Sequence, residues 1–264
     1  MITNQNIDHG KAFDWGKTSA DYAKFRDIYP NTFYKKIIEL GLCLKGQRVL
    51  DLGTGTGVLP RNLYKYGAEF VGSDISAEQI KQAQRLSAEA NMNIQYVVSS
   101  AETVDFPGGY FDTITACQCF VYFDKSVIGA KLHSLLKDDG HFCKLSMIWL
   151  PDESEIATNS EKLVLKYNPY WTGAGFKRSG FDVDNFDCLS GYLEVTDTVS
   201  YDLNLTFTRA SWHGRMKACR GIGASALSAE EIAQWEQEHM EYLQGVPESF
   251  DIPHFVSMVK FRKI

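Results

Sequence analysis

No apolar run in the 264 residues approaches the roughly 18 that a membrane span requires, so a helical membrane protein is excluded and a soluble one is expected. Lys and Arg number 27 against 33 Asp and Glu, and no basic block relieves the formal net charge of −6. Neutralised phosphates supply most of the affinity for duplex nucleic acid, so this balance argues against DNA or RNA as the main partner. A local basic patch remains open from Arg209 to Arg220. The six cysteines contain no C-x-x-C pair, which removes the zinc ribbon and the thioredoxin-type site, and no metal is expected. Internal repeats and low-complexity segments are absent. The opening, Met1 to His9, lacks a basic region followed by an apolar stretch, and the cytoplasm is the expected compartment.

With 44% hydrophobic and 23% charged residues the chain has an ordinary globular balance, enough for one α/β domain with an insertion or two small ones. Its organising stretch is Val49 to Gly57, VLDLGTGTG, where a strand runs into Gly53, Gly55 and Gly57 and then into a helix. Glycines at such a turn let a ligand approach the bare backbone. One βα unit later, the apolar run from Glu69 ends in Asp74, placed to accept hydrogen bonds from ribose hydroxyls. A nucleoside ligand is therefore expected. A dinucleotide fingerprint would need glycine where Val58 stands.

The pattern D-x-G-x-G-x-G from Asp51 resembles the first motif of class I S-adenosylmethionine (SAM) dependent methyltransferases, in particular the small-molecule enzymes of the methyltransferase type 11 kind. The resemblance is strong over 45 to 150 and loose elsewhere. It implies SAM as cofactor and methyl transfer to a small organic acceptor by in-line displacement, with no membrane or nucleic-acid partner, in a monomer or homodimer. The implied fold is a doubly wound, Rossmann-like seven-stranded sheet with an antiparallel C-terminal hairpin and helices on both faces. The cofactor would be held by Gly53, Gly55, Asp74 and the neighbouring Ile75, and by Ser100, Ala101 and Glu102 after the third strand. Relatives carry Asp-Ala-Glu there, with the acid reaching adenine; Ser100 departs from that pattern and leaves a backbone contact from Ala101. Cys117, ending the fourth strand, would emerge beside the glycine turn, because ligands sit at the carboxyl ends of parallel strands. A NAD-binding oxidoreductase and a SAM-binding protein without transferase activity are the alternatives.

The strands and helices alternate through about Trp149, as a doubly wound sheet requires. Helices are expected from Ala77 to about Asn91 and from Asp124 to Leu136, and the fifth strand over His141 to Trp149. Upstream, Tyr22, Phe25, Arg26 and Tyr29 form a Y-x-x-F-R-x-x-Y-P pattern similar to the N-terminal segment of small-molecule methyltransferases, which folds over the cofactor. The other reading is an amphipathic helix packed on the sheet, and Arg26 distinguishes them, since a guanidinium has reason to pair with a carboxylate. Residues 152 to 192 carry scattered aromatics, among them Tyr167, Trp171, Phe176, Phe181 and Phe186, between Gly173, Gly175 and Gly180, without a period over much of the length. They read either as a substrate-facing wall or as a surface excursion packed by its own rings. Tyr192 to Phe207 and Pro253 to Arg262 alternate as strands, with helices from Thr208 to Arg220 and from Ser228 to Leu243. The expected division is a lid over 1–44, the SAM-binding core over 45–150, and a substrate-facing insertion with the C-terminal strands over 151–264. His213 is the candidate general base, against a structural histidine, and Arg215 and Arg220 are candidates to pair with an acidic substrate or with nearby carboxylates.

Overall fold

The computed structural model describes residues 1–178 and 186–264; Gly180 and Phe181 lie outside them. Seven strands form one sheet in the order β3-β2-β1-β4-β5-β7-β6. They are β1 (Arg48–Leu52), β2 (Glu69–Asp74), β3 (Gln95–Val98), β4 (Phe111–Cys117), β5 (Leu136–Trp149), β6 (Leu193–Thr208) and β7 (Ser249–Lys263). The first five pair in parallel, with Leu50 opposite both Val71 and Ile114. The last two run antiparallel: Ile264 N donates to Tyr192 O at 3.2 Å, and Arg209 N to Glu248 O at 3.1 Å. The sheet is thus the mixed, Rossmann-like one with a terminal hairpin that the sequence implied.

By its internal contacts the chain forms two compact units. The core unit comprises Tyr29–Met147, Asp184–Ser200 and Val256–Ile264; the helical unit comprises Met1–Ile28, Ile148–Val183 and Tyr201–Phe255. The core unit contains α2 (Asn31–Glu39), α3 (Val58–Leu63), α4 (Ala77–Glu89) and α5 (Ile128–Leu135). Its interior is mainly aliphatic and phenylalanine, with Leu50, Leu52, Ile114, Leu132 and Phe142 fully buried. The helical unit contains α1 (Ser19–Phe25), α6 (Glu155–Tyr167), α7 (Arg209–Lys217) and α8 (Ala229–Gln244), packed around Trp149, Trp212 and Trp235.

Several expectations on element bounds change, and α5 starts at Ile128 rather than Asp124. β5 starts at Leu136 rather than His141, and its pairing with β4 slips between Phe111 and Thr113, so Lys137 to Gly140 form an irregular strand start. Lys137 is held there by Asp112 at 2.6 Å. The segment 152–192, which showed no period over much of its length, contains α6. Ser154 caps it, accepting from Ala157 N at 3.2 Å. Its buried residues, Ala157, Ser160, Glu161 and Val164, have helical spacing. Two of the four are polar, which hid the stripe from a count of apolar positions.

Candidate functional site

The turn after β1 places three glycines in the left-handed region, with φ of 62° at Gly53, 55° at Gly55 and 74° at Gly57. An L side chain pays roughly 1–2 kcal/mol for that conformation. At Gly53 space is a second constraint, because a Cβ there would come within 2.7 Å of the Cys119 side chain. Gly57 is the residue before α3, and a Cβ on it would run into the Tyr96 hydroxyl. The turn is tied to β2 by Thr54 N donating to Ser73 O at 2.9 Å and by Gly55 N donating to Asp74 Oδ2 at 2.9 Å. The other carboxylate oxygen of Asp74 accepts from Ser76 N at 2.8 Å. Each oxygen therefore has one backbone donor and further lone-pair capacity. Burial pushes the Asp74 carboxyl up, against these two amides, which favour its ionised form.

Beneath the turn, Asp51 is 3% exposed and accepts from the Thr115 hydroxyl at 2.7 Å. Burial pushes its carboxyl up to about 6; the hydrogen bond from Thr115 works against the shift, and the charge of Asp74 adds to it. Ile75, next to Asp74, is 55% exposed, an apolar side chain left in the open beside a polar anchor. The end of β3 joins the same locus through Ser99 N, which donates to Asp74 O at 2.9 Å. Ser100 then opens a turn in which its hydroxyl meets Thr103 Oγ1 at 3.0 Å, and Ala101 is buried. Glu102 Oε1 accepts from Asp124 N at 2.9 Å. At the end of β4 the Cys117 thiol lies 3.4 Å from the Tyr29 hydroxyl. The carboxyl ends of β1 to β4 thus gather Gly53, Gly55, Asp74, Ile75, Ser100, Ala101, Glu102 and Cys117 within the core unit.

One residue was not singled out from the sequence. Gln118, directly after β4, has φ of 64° without being glycine. Its N–H donates to Leu145 O at 2.9 Å and its side-chain amide donates to Met147 O, so β5 holds the strained residue in place. Strain of this kind, roughly 1–3 kcal/mol, clusters at functional sites. No property of glutamine as a residue type signals it.

Tyr22 and Arg26 belong to the helical unit, where the Arg26 guanidinium stacks over the Tyr22 ring at 4.8 Å. His213 is also there, on α7, stacked on Trp235 with ring centroids 5.2 Å apart. Its Nδ1 lies 2.9 Å from His239 Nδ1, and its Nε2 faces Glu236 at 3.7 Å. Ser160 donates to Ile156 O at 2.8 Å and accepts from Trp212 Nε1 at 2.9 Å, so the 2.9 Å contact from His239 Nε2 is a donation to it. His239 is then an acceptor at Nδ1, and His213 donates to it. Burial holds His239 at about 3 and lowers His213, keeping the pair neutral near pH 7. Arg220 pairs with the buried Asp8 at 2.7 Å, so one of the two candidate acid-binding arginines has a carboxylate of its own.

No helix among the described residues is long and apolar enough to cross a membrane. Residues 49–140 match the family model described as a methyltransferase domain. A Dictyostelium discoideum protein provisionally named as a methyltransferase is 29% identical over 161 residues, 61% of this chain and 57% of that protein. A ubiquinone biosynthesis O-methyltransferase of Coxiella burnetii is 30% identical over 122 residues, 44% of this chain and 52% of that one. The chain therefore spans between half and three fifths of the length of these relatives. Among solved structures, the YcgJ protein of Bacillus subtilis superposes with a TM-score of 0.53 at 20% identity, covering 89% of this chain and 99% of that one. A Streptomyces coelicolor geranyl diphosphate C-methyltransferase, solved with S-adenosyl-L-homocysteine, gives 0.51 at 13% identity, covering 89% and 79%.

Proposed function

We propose that this chain, which belongs to the class I SAM-dependent methyltransferases, binds SAM in its core unit and methylates a small organic acceptor. The observation that carries the reading is the Gly55 to Asp74 hydrogen bond, which brings a left-handed glycine turn and an acid ending the next strand into one locus. The residues fit the group: bare backbone at Gly53 and Gly55, lone pairs left on Asp74 for ribose hydroxyls, and exposed Ile75 as an apolar face for adenine. Ser100, Ala101, Glu102 and Cys117 stand at the adjoining strand ends and complete the set. When bound, SAM would supply a sulfonium methyl whose carbon an acceptor attacks in line, with the neutral thioether as the leaving group. The protein's work is then alignment and exclusion of water.

The relatives support a small acceptor without choosing its atom, since the Coxiella protein is named for O-methylation and the Streptomyces structure for C-methylation. His213, engaged with His239 and facing Glu236, serves the interior of the helical unit in this reading rather than proton transfer. Incubation with methyl-labelled SAM and a panel of phenols, amines and carboxylic acids should release S-adenosylhomocysteine and a labelled product. SAM bound tightly with no release across the panel would point instead to a binding protein.

A further inference from the structure

Four cations lie between Arg209 and Arg220, and three have partners that account for them. Arg209 Nε donates to Val246 O at 2.9 Å, Lys217 pairs with Glu236 at 2.7 Å, and Arg220 pairs with Asp8 at 2.7 Å. Arg215 differs. It is 3% exposed, and its Nε and Nη1 are buried with no hydrogen-bond partner among the described residues. Its guanidinium lies over the Trp149 ring, 4.7 Å from the centroid. The buried acid Glu161, in the same unit, is already used: Oε1 accepts from Trp149 Nε1 at 2.7 Å and Oε2 from Gly175 N at 2.9 Å.

A guanidinium withdrawn from water is normally paired, because burial of an uncompensated charge is strongly unfavourable and a ring face offsets only part of it. The planar donor set of arginine matches an oxyanion. Trp149 ends β5, and the carboxyl ends of parallel strands are where such sheets take ligands.

We propose that Arg215 recognises the carboxylate of a small organic acid, bound in the helical unit beside the Trp149 ring. A monoanion balances the charge of one guanidinium, whereas a phosphate dianion would leave net negative charge buried in a unit that already holds the buried acid Glu161. The site thus selects carboxylates.

The test uses the full chain as wild type, Arg215→Met and Arg215→Lys, followed by thermal unfolding in benzoate, in butyrate, in inorganic phosphate and in chloride as the control. SAM affinity is measured on each protein by titration calorimetry. Benzoate or butyrate should raise the wild-type Tm saturably, with the half-saturating concentration at least about tenfold higher in Arg215→Met and intermediate in Arg215→Lys, as loss of a charged hydrogen bond requires. Without ligand, Arg215→Met should melt at or above the wild-type temperature, since it removes a buried unpaired charge. A much lower melting temperature for Arg215→Met, an equal carboxylate response in wild type and Arg215→Met, or a response to phosphate alone would each overturn the assignment. Failure of wild type to bind SAM would overturn the methyltransferase reading instead, and leaves the carboxylate response to decide on Arg215.

Discussion

The two units use buried polar side chains differently. In the core unit Asp51, Thr54, Thr56, Ser73 and Thr115 gather on β1, the end of β2, β4 and the glycine turn, apart from other buried polar side chains of that unit such as Gln79, Ser87, Lys144 and Ser146. In the helical unit Asp8, Ser160, Glu161, Arg215 and His239 are spread through the packing and join elements distant in sequence, as Asp8 joins Arg220 and His239 joins Ser160. A polar group in the first setting serves one locus, and its loss should be felt there. In the second it holds the unit together, so its loss should be felt as stability. Arg215, with no such partner, is the exception that points to a ligand.

The largest effect should come from breaking the helical unit. Arg220→Ala leaves Asp8 buried without its cation and should cost about 3–5 kcal/mol, read by urea denaturation at tryptophan fluorescence. A loss below about 1 kcal/mol would place the pair among exposed ion pairs and remove the contrast.

Second comes a pH effect in the core unit. The Asp51 carboxyl titrates at about 6 in the folded chain against 3.8 for the free group. The folded state therefore binds the proton more tightly, so the stabilising contribution is fully present below about 3.8 and is lost as pH rises through about 6. The gap between those two values corresponds to on the order of 2–3 kcal/mol. Wild type should lose that much relative to Asp51→Asn between about pH 4 and about pH 7, in denaturation curves taken across that window. Parallel pH profiles for the two proteins would mean that Asp51 is effectively solvated.

The same contrast explains what the sequence made legible. The left-handed turn at Gly53 and Gly55 and the place of Asp74 at the end of β2 depend on backbone conformation and strand ends, which one motif encodes, so this local geometry could be read from the sequence. Gln118 could not, because its strained φ is imposed by Leu145 and Met147 on the neighbouring strand. α6 was obscured for a different reason: Ser160 and Glu161 occupy its inner face, where they satisfy Trp212, His239, Trp149 and Gly175. Apolar periodicity detects a helix only when its buried face is apolar. The cap was a usable signal, with Ser154 followed by Glu155. The smallest expected effect follows from it: Ser154→Ala should cost about 1 kcal/mol of stability and leave ligand binding alone. A loss below about 0.3 kcal/mol would show that α6 is held by its buried polar face without the cap.

The most direct measurement is calorimetric titration of SAM into wild type and Asp74→Ala, with thermal unfolding of both. Wild type should bind one equivalent, and Asp74→Ala should bind more weakly by about 1.5–3 kcal/mol, the range for hydrogen bonds to a charged group, at a nearly unchanged Tm. Equal affinities with a lowered Tm for the variant, or no SAM binding by wild type where a nicotinamide dinucleotide binds, would contradict the account.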